Sequence, residues 1–218
     1  MRKITINLAA VAAFCIVVAS PALVSSSCAT PKTEQEDTTI IREDSGITAL
    51  KYSSPEVPAS IEFCGKTIDL SRFDRHERMD RELLAFTYMH STSLQMLKKA
   101  NRYFPIVEPI LKENGIPDDF KYLMVIESNM NPTARSSAGA AGLWQFMQGT
   151  GRDYGLEVNN NVDERYHIEK ATRAACRYLK DAYAKYKDWV AVAASYNAGQ
   201  ARIASQLAKQ DVDDSLDL

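Results

Sequence analysis

The sequence predicts a mostly α-helical domain that follows an N-terminal leader and a flexible spacer. Apolar residues recur at helical spacing from about residue 80 onward, the C-terminal half has no sustained apolar–polar alternation, and no internal repeat is present. The chain has 218 residues, of which 45% are hydrophobic and 25% are charged. This composition is typical of one soluble globular domain with tails.

A short hairpin and two helices are expected first. Residues 61–70 are mixed in polarity, with Gly65 in the turn position, which favours a small β-hairpin. Helical spacing then runs from residue 80 to about residue 100. A second helix is expected to have Pro105 near its start and to end at Gly115.

A third, largely apolar helix is predicted to carry an acidic residue at its end. Pro117 opens it, with two aspartates in the first turn, where carboxylates are stabilised. Glu127 comes at its end, and Asn131 and Pro132 are expected to stop it. The apolar body of this helix predicts that it is buried.

Further helices follow a stretch rich in glycine and alanine at residues 136–142. The clearest is amphipathic and runs from Ile168 to Tyr186. Asp188 is expected to cap a buried helix over residues 189–196, which Gly199 ends. A last helix is predicted over residues 201–209.

The first 27 residues have the pattern of a secretory signal. Arg2 and Lys3 form a basic start, residues 8–18 are apolar and uncharged, and Pro21 breaks the run. The run is too short for a membrane-spanning helix. A retained membrane anchor is the alternative interpretation.

Cys28 follows three serines just past the apolar run, an arrangement that resembles the lipobox of bacterial lipoproteins. The resemblance implies an exported protein of the periplasm or cell envelope, tethered to a membrane through a lipid on Cys28. Cleavage without lipidation is the alternative. Residues 28–60 are rich in Thr, Ser, Pro, Glu and Asp, and are expected to form a flexible spacer.

Two cysteines remain in the predicted folded region. Outside the cytoplasm Cys64 and Cys176 can form a disulfide, or they can be two separate buried thiols. The sequence leaves both alternatives open.

The charge balance argues against nucleic acid as a partner. The formal net charge is -2, and removal of Arg2 and Lys3 with the leader leaves 24 basic against 28 acidic residues. Phosphate binding needs a basic surface instead. The three histidines are too scattered to suggest a metal site, and no metal or cofactor is expected.

Glu127 is the candidate catalytic group. A carboxyl at the end of an apolar helix loses water, which raises its pKa, and the helix dipole acts in the same direction. A carboxylic acid that is protonated near neutral pH can donate a proton to a glycosidic oxygen. The alternative is a Glu at a helix end that points into solvent.

Three motifs occur in order along the chain. Glu127-Ser128 comes first, then Gly-Leu-Trp-Gln-Phe-Met at residues 142–147, then Ser-Tyr-Asn-Ala-Gly at residues 195–199. Together they resemble the catalytic domain of the soluble lytic transglycosylase (SLT) family, of the membrane-bound murein transglycosylase D type. The resemblance covers about residues 114–202. It implies a lysozyme-like helical domain over residues 114–218, preceded by an N-terminal helical extension over residues 61–113.

The resemblance also implies a role for each matching residue. Glu127 matches the single catalytic acid and base, and the residues that match substrate-binding positions are Ser136, Gln145, Met147, Tyr196 and Asn197. Some of these residues have alternative interpretations. Gln145 can be a surface amide, Met147 can be simple core, and Tyr196 can be a buried tyrosine with one satisfied hydroxyl. For Trp144 and Phe146, a core role is favoured.

The implied activity is cleavage of peptidoglycan between N-acetylmuramic acid and N-acetylglucosamine, with a 1,6-anhydromuramoyl product. Asp153, Asp163 and Glu164 lie outside the family pattern and are interpreted as surface and capping groups. The family has a further motif with a tyrosine that reaches the catalytic Glu, and residues 201–218 contain no tyrosine. Either the chain continues beyond this sequence or the protein lacks that element.

Three alternatives to the lytic transglycosylase remain. The first is a goose-type-like lysozyme, in which water attacks the sugar. The second is a peptidoglycan-binding lipoprotein without turnover. The third is a helical interaction module, which explains only the amphipathic helix.

Overall fold

The computed structural model describes residues 55–199 and 203–205, and the mostly helical fold is confirmed within them. A hairpin precedes a series of α-helices and one short 3₁₀ helix at Glu164–Tyr166. The elements are β1 (Ser60–Phe63), β2 (Lys66–Asp69), α1 (Phe73–Tyr88), α2 (His90–Glu113), α3 (Phe120–Ser128), α4 (Gln148–Asp153), α5 (Ile168–Tyr186) and α6 (Trp189–Ala198). The predicted leader and Cys28 lie outside the described residues.

The predicted hairpin is confirmed. Strands β1 and β2 pair antiparallel, with Ser60 opposite Asp69 and Phe63 opposite Lys66. The two-residue loop between them has positive φ at both positions, 52° at Cys64 and 76° at Gly65. Two positive φ values match the right-handed twist of the strands, and glycine adopts such a value without strain.

The single helix predicted over residues 80–100 is wrong, because α1 ends at Tyr88 and α2 begins at His90. Met89 between them has a non-helical ψ of 45°. The hydroxyl of Ser93 donates to the carbonyl oxygen of Phe86 at 2.5 Å, across the break. A serine side chain thus satisfies a carbonyl of the last turn of α1, a local contact that apolar spacing does not reveal.

The helix boundary predicted at Pro105 is also wrong. Pro105 and Pro109 both lie inside α2, one turn apart. Each proline removes a backbone donor from the helix. Both prolines are exposed, as is Asn101 one turn earlier, so the carbonyls left without a helical partner face water.

Helix α3 begins at Phe120 rather than at Pro117, after a tight turn in which the Phe120 N–H donates to the Pro117 carbonyl at 3.1 Å. It ends at Ser128, before the predicted stop at Asn131. Asn129 and Met130 both have positive φ, of 49° and 51°. Asparagine tolerates this left-handed conformation better than most residues, and it ends the helix here.

The two C-terminal helices follow the predictions closely. Helix α5 spans Ile168–Tyr186 as expected, and the Asp188 carboxylate accepts from the N–H of Val190 at 2.7 Å at the start of α6. Helix α6 continues two residues beyond the predicted end and stops before Gly199. Residues 203–205 are helical, and the rest of the last predicted helix lies outside the described residues.

One core joins the hairpin to the C-terminal helices. Helix α5 packs against α2 and α6, and α3 packs against α2. The largest fully buried side chains of this core are Trp144, Phe120, Leu111, Met124, Met130, Leu143 and Leu179. A smaller cluster of Leu70, Met79 and Leu83 lies between the hairpin and α1.

Among the described residues, none of the helices combines the length and apolar character needed to cross a bilayer. Cys64 and Cys176 do not form a disulfide with each other. Cys176 is buried in the core, where burial raises the pKa of its thiol to about 11.

Candidate active site

Glu127 lies near the end of α3, a mostly apolar helix. Its Oε1 atom is buried and accepts no hydrogen bond from the described residues. Burial raises the pKa of Glu127 to about 7, while a hydrogen bond from Asn197 acts in the opposite direction. The predicted elevation is confirmed, and its cause is loss of water around the charged form. The alternative of a solvent-facing side chain is wrong.

Helix α6 places two predicted site residues beside Glu127. Asn197 is exposed, and its side-chain amide lowers the pKa of the Glu127 carboxyl group. Tyr196 is half-buried, and its hydroxyl donates to the carbonyl oxygen of Trp144 at 2.7 Å. Burial and the nearby charge of Glu127 raise the pKa of Tyr196 well above its usual value. The structure therefore brings the first and third motifs together.

The ring of Tyr196 is surrounded by other aromatic rings. Its centroid lies 5.1 Å from that of Tyr178, 6.4 Å from that of Phe146 and 6.5 Å from that of Trp144. The hydroxyl is already bonded to a backbone carbonyl, as the alternative of a buried tyrosine expects. Tyr196 thus connects α6 to the second motif through its aromatic ring and its hydroxyl.

The remaining predicted site residues lie in a segment that we call the groove loop, residues 134–147. At its start Ser136 forms a tight turn, because its N–H donates to the Ala140 carbonyl at 2.9 Å and its hydroxyl accepts from the Ala140 N–H at 3.0 Å. Gln145 has a φ of 49°, and its side-chain amide donates to the Gly142 carbonyl at 2.8 Å and to the Ala134 carbonyl at 3.3 Å. Both residues therefore help to hold the loop in its shape.

Side chains at the end of the groove loop alternate between core and solvent. Trp144 is fully buried, and its indole N–H donates to the Thr172 hydroxyl at 2.9 Å. Phe146 is also buried, so the core role favoured for both aromatic residues is confirmed. Met147 is instead 46% exposed, which makes its side chain available to a ligand.

Arg165, a buried arginine that contacts the groove loop, was not predicted from the sequence. Only 5% of Arg165 is exposed, and its guanidinium pairs with the Asp163 carboxylate. Asp163 also accepts from the Arg165 N–H, which confirms its predicted capping role, and Glu164 pairs with Lys170. An Asp and an Arg two residues apart are common on surfaces, so the sequence carries no signal that this pair is buried.

Comparisons with known proteins agree with this geometry. The family described as Transglycosylase SLT domain matches residues 105–216, which include every residue named in the site. The chain is 31% identical over 128 residues to the Membrane-bound lytic murein transglycosylase D of Escherichia coli K12, a match that covers 58% of this chain and 27% of that protein. It is 33% identical over 93 residues to the Peptidoglycan transglycosylase gp16 of Escherichia phage T7, covering 41% of this chain and 7% of the phage protein.

A third similar protein has a different description. The chain is 23% identical over 117 residues to a Putative tributyltin chloride resistance protein of Alteromonas sp. strain M-1, covering 53% of this chain and 56% of that protein. The chain therefore spans about a quarter of the length of the E. coli transglycosylase and about half that of the Alteromonas protein.

Proposed function

Because this chain belongs to the Transglycosylase SLT domain family, we propose that it is a peptidoglycan lytic transglycosylase with Glu127 as its single catalytic acid and base. Its substrate is the glycan strand, cut at the β-1,4 bond between N-acetylmuramic acid and N-acetylglucosamine. The observation that carries the proposal is the buried Oε1 atom of Glu127, whose carboxyl group has a pKa raised to about 7 and is therefore still protonated in a large fraction of molecules near neutral pH. Two similar proteins, described as a lytic murein transglycosylase and a peptidoglycan transglycosylase, support the substrate class.

In the first step, Glu127 donates its proton to the glycosidic oxygen as the bond to the muramoyl C1 breaks. The acetamido group of the same sugar supports the positive charge that develops at C1. Glu127 is then a carboxylate, and it removes the proton from the muramoyl C6 hydroxyl. The C6 oxygen bonds to C1, which closes a 1,6-anhydro ring without water and benefits from the high effective concentration of an intramolecular group.

A single carboxylate is consistent with the surroundings of Glu127. Most glycosidases pair two carboxylates across the bond that they cut. Here the pKa of Glu127 responds to burial and to Asn197, and no carboxylate among the described residues contributes to it. Asp163 and Glu164 are both held in ion pairs elsewhere. A mechanism in which the substrate supplies its own nucleophile needs no second carboxylate.

The proposed substrate contacts come from the groove loop and α6. We assign Ser136, Gln145 and Met147 to saccharide binding, and Asn197 to orientation of the Glu127 carboxyl and of the acetamido group. Amides and hydroxyls are directional partners for sugar groups, and a methionine adapts its shape to an apolar sugar face. Tyr196 supports the substrate contacts indirectly, because its hydroxyl donates to the Trp144 carbonyl and so connects the groove loop to α6.

We also propose that the protein acts in the cell envelope. The basic start, the apolar run and the position of Cys28 support export and a lipid tether. The similar E. coli protein is described as membrane-bound. Residues 28–60 then act as a spacer between the membrane and the catalytic domain at residues 114–218, with residues 61–113 as its extension.

The test is mass spectrometry of peptidoglycan sacculi digested by the protein and by Glu127→Gln. Glu169→Gln, which changes an exposed carboxylate in the first turn of α5, is the matched control. We expect anhydromuropeptides from the wild type and from the control, and none from Glu127→Gln. Products with a free reducing end that depend on Glu127 would instead assign a lysozyme. Sacculus binding without any product would assign a binding protein.

A further inference from the structure

We infer that Arg165 is a positioning residue for saccharide binding, because its buried side chain holds the groove loop in the shape that the substrate contacts need. The inference rests on the proposed function. It concerns a residue that contacts none of the reacting groups and acts through the loop that carries Ser136, Gln145 and Met147.

The guanidinium of Arg165 joins three parts of the chain. Its Nε and Nη2 atoms donate to the two carboxylate oxygens of Asp163, at 2.9 and 2.7 Å. Its Nη1 atom donates to the Gly139 carbonyl at 2.8 Å and to the Phe146 carbonyl at 3.0 Å. These two carbonyls lie seven residues apart in the groove loop. One planar cation therefore fixes the distance between the turn near Ser136 and the end of the loop.

The backbone and the stem of Arg165 also contact this region directly. A Cβ atom added to Gly142 would lie 1.9 Å from the Arg165 carbonyl oxygen. The backbone of the groove loop therefore lies so close to the Arg165 backbone that only glycine fits at position 142. A Cβ atom at Gly151 in α4 would lie 3.3 Å from Cγ and Cδ of Arg165. Arg165 thus supports the loop and the helix that follows it from one side.

Besides the Arg165 bonds, the groove loop is held by local hydrogen bonds, by the burial of its aromatic side chains and by the Tyr196 hydroxyl. It contains isolated bridges and turns rather than a regular ladder, and Gln145 keeps a left-handed φ within it. A lysine at position 165 would keep the charge opposite Asp163. Its single ammonium has three donors and cannot reproduce the fork that reaches both carboxylate oxygens and both loop carbonyls, so at least one of these four acceptors would lose its bond to residue 165.

The effect is expected on substrate binding rather than on proton transfer. Glu127 belongs to α3, and its environment is set by burial and by Asn197 on α6. Displacement of the groove loop moves the saccharide contacts and leaves the acid in place. A residue with a purely structural role would instead lower the fraction of folded enzyme, which reduces the apparent kcat and leaves KM unchanged.

The experiment compares Arg165→Lys with the wild type on a soluble glycan tetrasaccharide. We expect KM to rise about tenfold while kcat changes by less than about threefold, with the pH profile of kcat unchanged. Lys121→Met is the matched control, because it removes another largely buried cation that pairs with two carboxylates, Glu108 and Asp118. It should lower Tm without changing KM.

Two further variants keep the inference testable in every case. Asp163→Asn weakens the hydrogen bonds between Asp163 and Arg165 but keeps the guanidinium, so it should raise KM by a smaller factor than Arg165→Lys. It replaces Arg165→Lys as the test variant in case that variant does not fold. Calorimetric Kd values for the same glycan, measured with Glu127→Gln and with Glu127→Gln/Arg165→Lys, test the role of Arg165 in glycan binding without turnover. We expect about tenfold weaker binding by the double variant.

The outcomes separate the two ideas. Turnover by the wild type with equal KM and Kd in the Arg165 variants overturns the positioning role and leaves the proposed function intact. Glycan binding without turnover, weakened in the double variant, overturns the transglycosylase and supports the positioning role. A wild type that neither binds nor cleaves the glycan overturns both.

Discussion

At the scale of single residues, the environment of Glu127 predicts how activity depends on pH. The proton donor is lost as pH rises above the pKa of about 7, so kcat/KM should fall about tenfold per pH unit in that range. The bond from Asn197 lowers this pKa, so Asn197→Ala should move the alkaline limb to higher pH. The check is a pH–rate profile on a soluble glycan, with exposed Asn160→Ala as control. An alkaline limb that does not move would contradict the role of Asn197.

The same burial means that ionised Glu127 lowers the free energy of unfolding. Its pKa in the folded protein lies above the ordinary value of 4.5, so its contribution favours folding at low pH and is lost as pH rises through about 7. The shift corresponds to about 3 kcal/mol. Glu127→Gln should therefore be more stable than the wild type at pH 8 and gain much less at pH 4. Urea unfolding at both pH values measures this, with exposed Glu62→Gln as control. Equal gains at both pH values would refute the burial argument.

Gly142 is the residue in the groove loop where a side chain has no room. It combines a φ of 78° with the close approach of the Arg165 carbonyl. Gly139 in the same loop has a φ of 92° and open space around it, so Gly139→Ala isolates backbone strain, about 1–2 kcal/mol. Gly142→Ala adds a clash and should cost more than about 3 kcal/mol. Chemical denaturation of the two variants is the measurement, and equal losses would show that the clash relaxes.

At the scale of elements, one carboxylate connects the turn of the hairpin to the start of α3. Asp119 precedes α3 and accepts the N–H of Cys64, in the turn of the hairpin, at 2.6 Å. Asp119→Ala should destabilise the protein by about 1–3 kcal/mol, because that partly buried N–H loses its acceptor. Asp118→Ala removes a more exposed carboxylate one residue earlier and should cost less than about 1 kcal/mol. Hydrogen exchange at the Cys64 amide, faster only in Asp119→Ala, would locate the effect.

At the scale of the whole molecule, α2 supplies part of the core on which the site is built. Val107 and Leu111 are fully buried, and α2 packs against both α3 and α5. A chain that starts at residue 114 should lack cooperative thermal unfolding, because these contacts with α5 are lost. A chain that starts at residue 89 keeps α2 and should unfold cooperatively at a lower Tm than the full chain. Calorimetry decides, and cooperative unfolding of the shorter chain would contradict this view of the core.

Local patterns in the sequence predicted the features that depend on neighbours along the chain. The amphipathic helix Ile168–Tyr186, the hairpin turn at Gly65 and the Asp188 cap each follow from residues a few positions apart. The position of Glu127 at the end of an apolar helix predicted its raised pKa. The order of the three motifs indicated the family before any contact between them was known.

Only the tertiary structure decided the features that depend on residues distant in sequence. The break at Met89 and the continuous helix through Pro105 are set by contacts and exposure that composition does not encode. The Arg165 guanidinium reaches Gly139, 26 residues away, and the Tyr196 hydroxyl reaches Trp144, 52 residues away. Propensity and spacing report the local free energy of the chain, whereas these groups are positioned by burial and hydrogen bonds that exist only after folding.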